Sequence, residues 1–338
     1  MASSSSIKTL KTKASSTASD IHTPFILPKD KLSELQGSFK NEEKKAPIIR
    51  DLTEIHESTW TTPRGESLIV CVKYLRYATI IESDIQMAAG DRRRELKKIL
   101  DQMIQWTSLK HPNILPFIGY QWNDTPVLVF SWYKNGNITQ YLNDHPGLDR
   151  LKLLVQVASG LTFLHSKSIV HGGIKPANVI IADDGHPMLM DFGMAPDLRM
   201  VERNMTMADS GRENVGYMSP ELIEKGSYTK ASDVYAFASL ILEVLSGQPP
   251  YYKLPYVQAM IQITQQKKPI PEDHQSLSSS SPLWDLMQRC WNIQPDDRPW
   301  IEEVRNLLEH IAKGKRPTLL SYIRSLCKTV FRLLRLRL

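Results

Sequence analysis

His171-Gly-Gly-Ile-Lys-Pro-Ala-Asn178, followed thirteen residues on by Asp191-Phe-Gly193, is the stretch on which the fold turns. Three polar side chains, His171, Lys175 and Asn178, flank a glycine pair, Gly172-Gly173, that carries no side chain at all. Asp191 adds an anionic oxygen of the kind a hard divalent cation prefers. A lone Asp-Phe-Gly or a lone Lys-x-x-Asn is weak by itself, so the order and spacing of the surrounding residues must decide.

Working outward, Ser67-Leu-Ile-Val-Cys-Val-Lys-Tyr-Leu75 is a β-branched run that reads as a strand carrying an exposed basic residue near its end. A helical segment over 91–109 leads into His111-Pro-Asn-Ile-Leu-Pro-Phe117, and Pro126-Val-Leu-Val-Phe130 reads as a second strand. Asn135-Gly-Asn137 signals a turn before a short helix over 137–144. Helical periods follow over 149–167 and 232–246, the first with Leu151, Leu154, Val155, Ala158 and Leu161 on one face. A small strand-rich part thus precedes a larger helical part, with no internal repeat.

These landmarks resemble those of a eukaryotic protein kinase, and specifically the tyrosine-kinase-like group, over roughly residues 51–312. The resemblance implies an α+β, two-lobed protein-kinase fold: a small β-rich N-lobe over 51–130 and a larger α-helical C-lobe over 134–312. Kinases write the loop His-Arg-Asp-Leu-Lys-x-x-Asn, where Asp accepts the substrate hydroxyl proton and Asn holds a second magnesium. On that pattern His171 and Lys175 stand in register, Asn178 and Asp191 become metal ligands, and Val72-Lys73 resembles the strand-three motif whose lysine grips phosphates. Phe130 falls at the gatekeeper, and Ser131-Trp-Tyr133 at the adenine hinge. Ser219-Pro-Glu221 resembles the end of the activation segment, with Arg298 as the partner of Glu221. Asp233 resembles the buried aspartate that holds the catalytic-loop backbone. Cys290-Trp291 and His111-Pro-Asn-Ile-Leu point to the tyrosine-kinase-like group.

Four departures each remove a physical function. Gly173 replaces the base, and losing general-base help costs about 10²–10⁴ in rate. No Gly-x-Gly-x-x-Gly precedes Lys73; Gly65 is the only glycine between Asp51 and Lys73. The family's glycines let backbone N–H groups approach the phosphates, and the stretch Asp51–Trp60 looks too short for a strand, that loop and a second strand. Gln102 occupies the position of the glutamate that pairs with the lysine, and an amide supplies no charge. Gly172 lacks the arginine that grips a phosphorylated activation loop.

The net charge of +6 belongs to a tail. Residues 313–338 hold eight basic residues and no acid, which leaves 34 basic against 36 acidic residues in the remainder and argues against nucleic acid as a partner. Within 318–338, Leu319, Ile323, Leu326, Val330 and Leu333 fall on one helical face, beside a stripe of Arg324, Lys328, Arg332 and Arg335. Such a basic amphipathic helix lies in an anionic membrane interface or docks in a partner's groove. Residues 1–28 form a Ser/Thr/Lys-rich tail expected to be disordered, and 29–50 a helical connector. Three cysteines without metal-like spacing fit a reducing compartment. No run of about 18 apolar residues occurs.

The sequence reading is therefore a pseudokinase: a cytoplasmic signalling scaffold or allosteric partner of an active kinase, with weak or absent binding of ATP and Mg2+ and peripheral membrane contact through the tail. One alternative is an active Ser/Thr protein kinase carried by Lys73, Lys175, Asn178 and Asp191. Another is a membrane-docking protein that works through its basic C-terminal helix.

Overall fold

The computed structural model describes residues 53–75, 108–123, 125–192 and 215–314, together with Leu35, 38–41, 48–50 and Trp106. Gln102, Gly193 and the basic stripe at 324–335 lie outside these residues.

Strands β1 (Ser38–Asn41), β2 (Ile48–Arg50), β3 (Thr53–Thr61), β4 (Ser67–Leu75), β5 (Phe117–Asn123) and β6 (Thr125–Ser131) build one antiparallel sheet in the order β1-β3-β4-β6-β5. β1 pairs with one half of β3, Ser38 opposite Thr61, and β2 with the other half, Arg50 opposite Thr53. This corrects the helical connector expected over 29–50, because residues 38–41 and 48–50 are edge strands. The sheet begins before residue 51, so Asp51–Trp60 need not contain a strand, a loop and a second strand. Strands of three and four residues carry too few alternations to announce themselves, and the charged Glu42-Glu43-Lys44-Lys45 between them imitates a helix surface.

The larger lobe holds α1 (Ile138–Asp144), α2 (Arg150–Ser166), α3 (Pro220–Lys225), α4 (Lys230–Ser246), α5 (Tyr256–Thr264), α6 (Pro282–Cys290) and α7 (Ile301–Ala312), with a hairpin of β7 (Val179–Ile181) and β8 (Pro187–Leu189). Helix α4 is its spine. Twelve of its seventeen residues are buried, so it is enclosed on nearly all sides rather than amphipathic. A Thr229/Ser232 capping box starts it, and Gly247 in the left-handed conformation stops it.

Along α2 the buried stripe runs through Leu154, Ala158, Leu161 and Leu164 and extends to Leu153 and Val157, whereas Leu151 and Val155 are only partly buried. The expected face was rotated, because α2 is covered from more than one side: α7, α4 and β8 all pack on it. One apolar core joins Ile55, Cys71, Leu128 and Phe130 of the sheet to Leu189, Phe192 and the helices. A second cluster occupies the opposite side of the sheet.

Candidate nucleotide and catalytic-loop site

The 171–178 loop is held from below by α4. Asp233, 1% exposed, accepts hydrogen bonds from the backbone N–H of His171 at 2.7 Å and of Gly172 at 2.6 Å, and the His165 ring lies 2.8 Å from the same carboxylate. A carboxylate that accepts several hydrogen bonds in the interior fixes the donors it binds. Within the loop, the Gly173 N–H donates to the His171 ring at 3.2 Å, and the Asn178 side-chain amide donates to the Gly173 carbonyl at 2.8 Å. Gly172 sits at φ +71°, a left-handed conformation in which glycine is unstrained. Gly173 lies outside that region.

Asp191 lies two residues beyond the end of β8. Its position is set by the segment after His111: the Leu115 N–H donates to the Leu189 carbonyl at 2.9 Å, Leu189 donates back to Asn113 at 3.0 Å, and Met190 donates to Asn178 at 3.0 Å. The Asn113 carbonyl crosses so close to α2 that a Cβ on Gly160 would sit 2.5 Å from it. Phe192, buried beside Asp191, has its ring 5.3 Å from Trp106 and 6.3 Å from His171.

Across the lobes, Lys73 Nζ donates to Asp191 Oδ1 at 2.6 Å. Lys73 is 1% exposed, which corrects the exposed strand-end reading. Its alternation on β4 turns it inward with Cys71, and an inward charge is tolerated only because an anion meets it. Phe130, opposite Cys71 in the ladder, is buried against Phe117 at 5.2 Å. Tyr133 is half-buried; burial pushes its phenol up, the Ser131 hydrogen bond opposes this, and the charges of Asp183 and Asp184 add to it.

Further down, Arg298 grips Glu221 with two bonds of 2.6 and 2.7 Å, donates to the Asn292 and Ala231 carbonyls, and stacks over Tyr235 at 5.2 Å. Burial raises the Glu221 pKa, but the Arg298 hydrogen bonds and charge outweigh it and hold the carboxyl below its usual range. Beside the loop opens a cavity of about 920 Å3, lined by Lys175, Pro176, Tyr217, Glu243 and residues 249–257.

The structure thus brings Lys73 to Asp191, Asn178 to Gly173, and Asp233 under His171 and Gly172. Glu221 and Arg298 meet each other, beside Ala231 and Tyr235 of α4. Sequence reasoning missed His165 and read Asn113 only as part of His111-Pro-Asn-Ile-Leu, without its contacts: a lone histidine on an apolar helix face and an asparagine in a turn carry no periodic signal.

Residues 51–308 match the family of protein tyrosine and serine/threonine kinases. The chain belongs to that family. Its relatives include serine/threonine kinases. The kinase VIK of Arabidopsis thaliana is 26% identical over 247 residues, 70% of this chain and 56% of its own length. Cell division control protein 7 of Schizosaccharomyces pombe is 28% identical over 246 residues, 71% of this chain and 21% of its own. An Arabidopsis thaliana protein named "Probable inactive receptor kinase" is 28% identical over 314 residues, 84% of this chain and 46% of its own. The chain therefore spans about half or less of the length of these relatives.

Kinases of this family use ATP and Mg2+. Asp191 and Asn178 carry oxygens that suit Mg2+, and Lys73 carries a cation that suits phosphate. In this kinase domain Asp191 accepts from Lys73 through Oδ1. Among the described residues no group of three or more His, Cys, Asp or Glu side chains could hold a metal ion. No described helix is long and apolar enough to cross a membrane.

Proposed function

We propose that this chain is a pseudokinase of the tyrosine-kinase-like group, acting by binding protein partners such as an active kinase or a signalling complex. The observation that carries this reading is the 171–178 loop: Asp233 and Asn178 hydrogen-bond it in place, and at the position of the family's base it presents Gly173. A glycine accepts no proton, however well its backbone is held.

The phosphate-covering loop supports the same reading. β2 and β3 are joined by only Asp51 and Leu52, and no glycine occurs from residue 38 to residue 64. ATP and Mg2+ binding is then weak or absent, and Lys73 and Asp191 serve chiefly to hold the two lobes together. The cavity beside Lys175, with Tyr252, Leu254 and Val257 exposed at its rim, suits an extended segment of a partner. A cytoplasmic location, with peripheral membrane contact through the stripe at Arg324, Lys328, Arg332 and Arg335, belongs to this reading.

Radiolabelled-ATP transfer to a generic protein substrate tests it, with Asp191→Ala as the control. No Asp191-dependent incorporation is expected; incorporation that Asp191→Ala abolishes overturns the proposal. Such a result favours the second reading, an active Ser/Thr kinase, for which the retained Lys73–Asp191 pair and the serine/threonine kinase relatives speak.

A further inference from the structure

Leu35 lies outside every strand, yet it is 5% exposed and belongs to the apolar cluster on the side of the sheet away from Lys73. The other buried members are Trp60, Val70, Val72, Ile118, Val127 and Val129; among the described residues, Leu35 alone comes from outside the sheet. Its N–H donates to the Tyr120 carbonyl at 2.7 Å, on edge strand β5. Its side chain fills the space over Gly119, where an added Cβ would lie 2.9 Å from the Leu35 Cγ.

Three residues later the chain is in β1, at the opposite end of the strand order. In a flat sheet, four spacings between β5 and β1 amount to about 19 Å, whereas three residues reach at most about 10 Å. The two edges must therefore curl toward each other, as in a partly closed barrel with staggered strands. The second cluster is the filling of that curl, and Leu35 stands at its open seam.

We infer that Leu35 is the plug of the notch over Gly119, between the β5 and β1 edges, and that this contact ties the stability of the small-lobe sheet to a residue that precedes β1. The occupant follows from position: Leu35 is seated in the notch, three residues before β1. Among the described residues, the Leu35 hydrogen bond and side chain close the seam, so Leu35 is an integral part of the small lobe and the lobe does not begin at residue 51. This inference is independent of whether the chain transfers phosphate.

A double-mutant cycle in the full chain, read by thermal melting, tests it. Gly119→Ala is expected to lower Tm by several degrees, because its methyl group collides with Leu35. It should cost much less when Leu35→Ala has already emptied the notch. Hydroxyl-radical footprinting supplies a second readout: Trp60 should stay protected when residues 2–28 are deleted and oxidise several-fold faster in Leu35→Asp. Strict additivity in the cycle, or a Trp60 equally protected in Leu35→Asp, overturns the inference. Should Leu35→Asp fail to fold by circular dichroism, the milder alanine cycle alone decides.

Discussion

The Lys73 ammonium and the Asp191 carboxylate meet at 2.6 Å, pinning the small-lobe sheet to the turn that follows β8. The pair is unequally buried, with side-chain exposures of 2% for Lys73 and 15% for Asp191. That asymmetry sets the first prediction. Asp191→Ala strands a buried cation and should destabilise by about 3 kcal/mol, the lower end for breaking a buried pair. Lys73→Met removes the buried charge and leaves a carboxylate that water reaches, so it should cost clearly less. Urea denaturation of both variants measures the difference, and equal costs contradict it.

Asp233 is the more stringent case. It accepts from two backbone amides, faces His165, and is 1% exposed. Asp233→Ala leaves these donors unsatisfied in the interior and should cost at least about 3 kcal/mol. Hydrogen exchange at His171 and Gly172 should rise in step, since their acceptor is gone.

The two loop glycines should respond differently. Gly172 is at φ +71°, so Gly172→Ala should destabilise by about 1–2 kcal/mol. Gly173 is not in the left-handed region, so Gly173→Ala should be neutral or stabilise by up to about 1 kcal/mol. Thermal melts of the two variants side by side check this; a large loss at Gly173 contradicts it.

Acid should weaken the fold in two stages. Burial lowers the pKa of His111, with Arg305 adding; burial also lowers that of His274, where Lys253 adds and Asp273 opposes. A histidine with a depressed folded pKa binds more protons when unfolded, so its contribution is present above the ordinary histidine range and is lost as pH falls through it. Glu221, depressed by Arg298, contributes stability that persists above the ordinary glutamate range and disappears only as pH falls below it. Urea midpoints against pH should show a mild first decline and a steeper second one. Glu221→Gln should flatten the second.

Breaking the fork of Arg298 on Glu221 should also cost stability. Arg298→Lys keeps the charge but loses the two parallel bonds, the carbonyl contacts and the stacking on Tyr235. A loss of about 2–3 kcal/mol in urea denaturation is expected, more than for breaking the solvent-exposed pair Lys253–Asp273, which water and salt screen.

Much of the site was legible in the linear chain because it is local. The absent carboxylate at 173 is a matter of one residue in register with His171 and Asn178, and the absence of glycine from 38 to 64 is visible by inspection. Long elements were legible as well: β4 and α4 carry their own periodicity and caps over nine and seventeen residues. Short elements were not. β1 and β2 are strands only because β3 offers them hydrogen bonds, and a segment of three or four residues has no pattern of its own.

Sequence alone therefore determined the family, the lobe order and the glycine at position 173, since each rests on residue identity at fixed spacing. Tertiary structure decided that Lys73 is buried and paired with a residue 118 positions away, that α2 buries a wider stripe than its period suggested, and that Leu35 closes the sheet. Those outcomes depend on which surfaces meet when the chain folds, and contacts between distant residues leave no trace in the spacing of either partner.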